Sequence, residues 1–345
     1  MRSNTAAFSA ASHHGSDSAL IDNHGRPITY LRLAITDRCN LRCSYCMPEQ
    51  GVATISHDEM LSYEELERLV RLFLGMGVKK VRITGGEPFV RRGCIDFLER
   101  LKQELRVKEL VVTTNGVETS RYLKRLKALP ISGINLSLDT IDRQRFKEIT
   151  RRDRLSQVLD TLYGALDHGI SLKVNSVVTE QTTDDDIRRL GLLVKEHDFS
   201  LRFIEKMPFS GVHDAAAAID YRLQQRLEAL FPDLQERKLE EVSTARLFTV
   251  PGFAGSLGII EGSSRKFCSA CNKIRITPQG VLKACLYDSG VLDLKRLLRN
   301  GVADGDIAAQ IRSCLKHRFA DGHATQAANG FGAQTDQPSM ASIGG

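Results

Sequence analysis

Residues 30–48 read YLRLAITDRCNLRCSYCMP. The first seven, YLRLAIT, are mostly apolar and stop at the polar pair Thr36-Asp37, the pattern of a short buried strand. Cys39, Cys43 and Cys46 follow at once, at spacings of four and three. Reactive residues packed into the loop after a strand are what α/β folds place at the carboxyl ends of parallel strands, where their sites lie.

Outward from this stretch the same alternation recurs. Strand-like runs occupy 79–84 (KKVRIT), 109–114 (ELVVTT), 133–139 (GINLSLD), 171–178 (SLKVNSVV) and 200–207 (SLRFIEKM). Helix-like stretches lie at 62–76, 93–104, 119–128, 154–168, 183–196 and about 217–230. Ser62-Tyr63-Glu64-Glu65 has the form of a capping box ahead of Leu66, Leu69, Val70 and Phe73. Strand and helix alternating six times implies parallel strands joined by right-handed crossovers. A doubly wound sheet and a barrel-like (β/α) array both satisfy that pattern. After residue 230 the style changes: 255–262 reads as a strand, 273–287 as a hairpin about Pro278-Gln279-Gly280, and 291–299 and 302–317 as helices. The organisation expected is a disordered leader at 1–27, a core at 28–230, a C-terminal region at 231–320 and a flexible tail at 321–345.

Composition narrows the class. Hydrophobic residues at 42% and charged residues at 26% are those of a globular protein. No run approaches the roughly 18 apolar residues of a membrane span, and the leader lacks the apolar core of a secretory signal. The cytoplasm is the compartment expected, and there clustered cysteines point to metal or redox chemistry rather than disulfides. A net charge of +6 without a long Lys/Arg block, and without tryptophan, argues against a nucleic-acid binder and leaves room for a small anion.

Three clustered thiols are one short of a closed tetrahedral zinc site. They suit a [4Fe–4S] cube bound through three irons, the fourth left open for a ligand; zinc completed by a distant His is the alternative. Here the chain resembles the radical S-adenosylmethionine (SAM) superfamily, whose C-x₃-C-x₂-C motif it matches at Cys39, Cys43 and Cys46, with the aromatic Tyr45 before the third cysteine. The resemblance implies that the open iron chelates SAM and that a deoxyadenosyl radical is released. Thr84-Gly85-Gly86-Glu87-Pro88 resembles the superfamily's SAM-binding turn, and Ser137 and Met207 fall at strand ends where the family contacts SAM.

A second incomplete set follows: Cys268, Cys271 and Cys285 in CSACNKIRITPQGVLKAC (268–285). Zinc completed by Cys314, His317 or His323 is again the alternative. Two such sites, with KVRITGGEP, TTNG, RFIEKMP, C-x₂-C-N-K-I-R and a terminal Gly344-Gly345, resemble the molybdenum cofactor biosynthesis protein A family, the GTP 3′,8-cyclases. The likeness covers about four-fifths of the chain. It implies an incomplete (β/α)6 TIM-like barrel with a C-terminal cluster-binding extension, two [4Fe–4S] clusters, and a second cluster facing the substrate purine. The radical would remove the C3′ hydrogen of GTP, and C3′ would then attack C8. A low-potential electron donor, a downstream cyclic pyranopterin monophosphate synthase and a monomeric or homodimeric state belong to the same expectation. The segment 318–338 departs from the family pattern.

The strands carry an independent signal. Parallel strands covered on both faces should be almost wholly apolar, yet Arg32, Lys80, Arg82, Lys173 and Arg202 interrupt them. With a period of two, Lys80, Arg82 and Thr84 share a face, as do Arg32 and Thr36. Buried cations need anions, and a triphosphate engages several; pairing within the chain, such as Arg202 with Glu205, is the alternative. The resemblance assigns GTP contacts to Arg32, Arg82, Thr113, Lys173, Lys273 and Arg275, with Arg275 an electrostatic helper in catalysis and Gly344-Gly345 a tail that supports turnover. Cys94 reads as a packing residue, and Asp184–Asp186 as a helix start. Two other functions compete: a radical SAM peptide-modifying enzyme with an auxiliary cluster, and a zinc-clamped binding protein.

Overall fold

The computed structural model describes residues 19–207, 222–237, 243–262, 266–329 and 340–344. Six strands run in chain order, β1 (Tyr30–Ala34), β2 (Lys80–Thr84), β3 (Glu109–Thr114), β4 (Gly133–Ser137), β5 (Leu172–Val178) and β6 (Ser200–Glu205). Each lies parallel to the next. Between them run α1 (Tyr63–Gly75), α2 (Cys94–Gln103), α3 (Leu123–Ala128), α4 (Arg143–Thr150), α5 (Leu155–Asp167) and α6 (Asp184–Glu196). After α7 (Leu223–Leu230) come β7 (Gln235–Arg237), β8 (Arg246–Thr249), β9 (Ser256–Ile260), β10 (Lys273–Ile276), β11 (Val281–Lys283) and β12 (Leu292–Asp293), then α8 (Leu294–Arg299), α9 (Asp304–Leu315), α10 (Gly322–Ala328) and α11 (Met340–Ile343).

The C-terminal strands do not form a sheet of their own. They extend the first one at both edges, in the order β12-β11-β10-β1-β2-β3-β4-β5-β6-β9-β8-β7. Strand β10 is parallel to β1 and β9 parallel to β6, so eight parallel strands make an open, incomplete barrel capped by antiparallel hairpins. No described helix is long and apolar enough to cross a membrane.

One face of the sheet is apolar and the other is not, and the two-residue period sorts them. In β5, Leu172, Val174 and Val178 are buried on the helix side, while Lys173, Asn175 and Val177 line an internal cavity. In β6, Leu201 and Phe203 are buried, and Arg202 and Ile204 face the cavity. The strand cations therefore share one face. Helix α1 closes the opposite side with Leu66, Leu69, Val70 and Phe73, its start held by the Ser62–Glu65 capping box. Helix α6 has Thr183 as N-cap, with Asp186 completing its capping box.

Several expectations need correction. The expected helix 119–128 is a 3₁₀ turn (Thr119–Tyr122) followed by α3. Helix α4 and strands β7 and β8 were not expected; α4 has a weak apolar face, and β7 is an exposed three-residue edge strand. The described part of the leader is packed: Leu20, Asp22 and Arg26 are buried, and Ile21 bridges Pro27. The tail holds α10 and α11, with Ile343 buried. Glu205 does not pair with Arg202; it accepts from Gly262 N at 2.9 Å. Residues 1–18, 217–221, 330–339 and Gly345 lie outside the described residues.

Candidate active site

The first cysteine loop is held from three sides. Gly86 N donates to Thr36 O at 2.7 Å and Glu87 N to Arg38 O at 2.8 Å. A Cβ on Gly86 would lie 2.4 Å from Arg38 O, and one on Gly85 2.4 Å from Thr36 O. The glycine pair thus serves a close approach between backbones, and what it approaches is the cysteine loop itself. Behind it, the buried Glu87 accepts from Asn115 N (2.6 Å), Thr114 Oγ1 (2.9 Å) and Phe89 N (3.2 Å), tying the ends of β2 and β3 together. Asn115 Nδ2 donates to Cys39 Sγ at 3.6 Å and Asn40 Oδ1 at 2.7 Å. From the far side, Arg42 N and Ser44 N donate to the end of α4, and Arg151 Nη1 reaches Arg42 O and Met47 O. Tyr45 OH donates to Asp139 Oδ2 at 2.8 Å. Burial pushes Glu87 up to about 7 and Asp139 up to about 6.

The second triad sits at the opposite wall. Cys268 and Cys271 precede β10, and Cys285 follows β11, so the hairpin closes the triad. Arg318 Nη2 donates to Cys271 Sγ at 3.2 Å. The helix cysteine and histidine that would complete a zinc site are turned elsewhere: Cys314 donates to Val291 O, and the His317 ring bonds Ser313 O. Among the described residues, no three His, Cys, Asp or Glu side chains gather around one point as a closed single-ion site requires. Each triad offers three separated thiols. That donor set fits a cube that takes one sulfur per iron, with one corner left for another ligand.

Both triads line one cavity of about 690 Å³. Tyr45, Gly86, Ser137 and Met207 line it too. Arg32, Arg82, Thr113, Lys173, Lys273 and Arg275 line it as well. Register explains the concentration of charge: Arg275 and Arg82 are both direct Cα partners of Arg32, on either side of it. One row above, Tyr30 is partnered with Lys273 and Lys80, and its ring lies 5.4–5.8 Å from the charged groups of Lys80, Arg82, Arg32 and Lys273.

This belt is short of anions. Lys80 pairs with Glu109 at 2.8 Å, but Arg32 Nε, Arg202 Nε and Thr113 Oγ1 are buried without a partner among the described residues. Asn135, with its carbonyl turned to Arg82, accepts from Nη2 at 3.0 Å and Nε at 3.3 Å. Burial, with the charges of Arg202, Lys80 and Arg82, pushes Lys173 down to about 8. Burial beside Arg32, Arg82 and Arg275 brings Lys273 to about 8 as well. Burial also lowers Arg82 to about 10 and Arg275 to about 9, a measure of how costly these charges are without an anion.

Arg275 Nη1 donates to Gly344 O at 2.6 Å. Ile343 packs on Tyr287, beside Met207 and Cys285, which seats the C-terminal helix at the cavity. A side chain on Gly344, at φ +78°, would meet Ala34 Cβ at 2.7 Å, so only glycine fits. Gly345 lies outside the described residues. Sequence reasoning missed Tyr30, Asn175 and Arg318, and had Asp139 only as the end of the strand-end stretch 137–139. Tyr30 and Asn175 lie in strands at inward-facing positions and were open to the two-residue rule; Arg318 comes to the triad only through the fold.

Comparison with known proteins supplies the family. A profile described as "Radical SAM superfamily" matches residues 33–194, and one described as "Molybdenum Cofactor Synthesis C" matches 199–324. The chain is 37% identical to a GTP 3′,8-cyclase of Peptoclostridium acidaminophilum, covering 82% of this chain and 88% of that one. It is 36% identical to the GTP 3′,8-cyclase of Syntrophomonas wolfei, covering 94% and 100%. Bovine molybdenum cofactor biosynthesis protein 1 is 38% identical over 86% of this chain, which spans 47% of the bovine protein's length. Among solved structures, Streptococcus suis SuiB superposes with a TM-score of 0.59 at 17% identity, covering 88% of this chain and 73% of that one, a likeness of fold alone. These relatives support the cyclase over the peptide-modifying alternative, and the chain belongs to the GTP 3′,8-cyclase family of radical SAM enzymes.

Proposed function

We propose that this cavity converts GTP to (8S)-3′,8-cyclo-7,8-dihydroguanosine 5′-triphosphate, the first step of molybdopterin biosynthesis, and that its two walls divide the work. The observation that carries the reading is the aligned row Arg275–Arg32–Arg82, which faces a cavity bounded by both cysteine triads. Cys39, Cys43 and Cys46 would hold one [4Fe–4S] cluster, with SAM against Tyr45, Gly86, Ser137 and Met207. Cys268, Cys271 and Cys285 would hold the other. When bound and reduced, the first cluster with SAM supplies the hydrogen-abstracting chemistry at C3′.

The chain's own residues bind and orient. Arg32, Arg82, Lys173 and Lys273, with Thr113, hold the triphosphate, and guanidinium forks suit paired phosphate oxygens. Fixing the phosphates at the belt and the purine at the second triad leaves the ribose between the triads, so C3′ is positioned by both ends of the nucleotide. Arg275, bound to Gly344 O, joins the phosphate belt to the C-terminal segment, and Gly344-Gly345 would support turnover. A low-potential electron donor, hand-over to a cyclic pyranopterin monophosphate synthase and action in the cytoplasm complete the proposal.

The test is anaerobic turnover of reconstituted protein with SAM, a strong reductant and each nucleoside triphosphate in turn. Deoxyadenosine and cyclised purine rising together with GTP alone is the expected outcome. Deoxyadenosine formed without nucleotide dependence would remove GTP as substrate.

A further inference from the structure

The second triad has a partner that the reaction just described does not use. Arg318 is nearly enclosed, its side chain 4% exposed. Its Nη2 donates to Cys271 Sγ at 3.2 Å and to Lys273 O at 3.0 Å. Its Nη1 donates to Asp22 Oδ2 and to Cys271 O, both at 3.1 Å. Two groups from the N-terminal segment hold it there. Asp22, whose side chain is 0% exposed, also takes Arg26 Nε at 2.7 Å, and His24 Nε2 bonds Arg318 O at 2.8 Å. Arg26 Nη1 continues the lattice to Cys268 O at 2.9 Å and Ala320 O at 2.6 Å.

Arg318 lines the cavity, yet it is unlike the cations of the belt. Among the described residues, Arg32 and Arg202 each have a buried Nε without a partner. Both Nη groups of Arg318 are committed, with two acceptors on each, so its charge is spent on the triad and not offered to a phosphate. Hydrogen bonds and net charge at a ligating sulfur set how readily a metal centre takes up an electron and how firmly it is held.

We propose that Arg318, oriented by Asp22, is a positioning residue for the second triad: it fixes Cys271 Sγ towards the cavity and raises the reduction potential of the cluster bound there. The segment 22–26 and the stretch 318–320 thereby act as one clamp that joins the two ends of the chain at the site. This rests on the reading that the second triad holds an iron–sulfur cluster.

The experiment uses full-length protein whose first triad is replaced (Cys39→Ala, Cys43→Ala, Cys46→Ala), so that one reconstituted cluster reports. Midpoint potential is followed by electron paramagnetic resonance, and the rate of iron extraction by a chelator is measured alongside. Arg318→Gln should shift the potential downward and speed extraction about 10- to 100-fold. Arg318→Lys should recover most of the potential but not the extraction rate, because the charge stays and the fork is lost. Asp22→Asn should fall between the two. A loaded parent protein with variants at its potential and extraction rate overturns the proposal. If Arg318→Gln does not fold, the lysine and Asp22→Asn variants decide by the same criterion. A parent that holds no iron at the second triad sinks the two-cluster reading, and the proposal with it.

Discussion

Cys43 and Cys271 line one cavity from surroundings of opposite sign. Around Cys43, burial and the charges of Asp139, Cys46 and Cys39 hold the thiol well above its usual range, and the buried carboxyl of Glu87 lies behind the same loop. At Cys271, burial alone would raise the thiol, but Arg318 and Lys273 outweigh it and hold the thiol below its usual range. The contrast teaches which ligand each wall suits. A wall with carboxyl groups favours a cation, as SAM is at its sulfonium and amino group. At the other wall the Arg318 guanidinium is spent on Cys271 and favours its thiolate, while a polyanion such as GTP suits the belt, where Arg32 and Arg202 keep buried Nε groups without a partner among the described residues.

The sharpest way to break this division is to remove one triad at a time. Cys43→Ala should bring deoxyadenosine formation to background, whereas Cys271→Ala should keep SAM cleavage and lose the cyclised product; equal loss of both activities in the two variants would end the division. Next in size is the belt. Arg82→Met removes charge-assisted contacts worth about 1.5–3 kcal/mol, so KM for GTP should rise by roughly 10- to 150-fold while the affinity for SAM, measured by equilibrium dialysis, stays put.

A pH series sharpens the same contrast. In the free protein Lys173 titrates near 8, and a triphosphate beside it would raise that value. The protonated form binds. Below 8 the charge is already present, and above 8 binding must take up a proton; Lys273, also near 8, behaves alike, so Kd for GTP should rise with pH by up to about tenfold per unit for each lysine. Lys173→Met should remove its share of the slope and leave that of Lys273, and SAM affinity should show no matching trend.

Smaller effects are expected from the supports. Glu87→Gln puts an amide NH₂ in place of one carboxylate oxygen, against either the Asn115 N–H or the Phe89 N–H, a mismatch of about 1–3 kcal/mol, and should lower the melting temperature and loosen iron at the first triad only. Tyr45→Phe removes the bond to Asp139 and should weaken SAM by about 1 kcal/mol, roughly fivefold, with GTP affinity unchanged.

Legibility followed the range of the forces involved. The strands β1–β6 were readable because β-branched and apolar runs with punctuation report local burial, and their cations were readable because a two-residue period reports a face. The weakly amphipathic α4 and the short edge strands β7 and β8 carry little periodic signal, and composition misjudged 20–27 and 322–328 as loose. Their order comes from partners elsewhere: Leu20 N donates to Met76 O, and Arg26 reaches the 318–320 stretch.

The sequence by itself determined the two triads, the glycine turn, the helix caps and the inward side of each strand, since all of these depend on neighbours a few residues away. Only the tertiary structure decided that β10 returns beside β1. That pairing sets Arg275 level with Arg32 across 243 residues of chain and makes the two triads walls of a single cavity. Edge pairing of parallel strands leaves no local mark, because backbone hydrogen bonds are the same for any partner and the choice is made by what the helices bury.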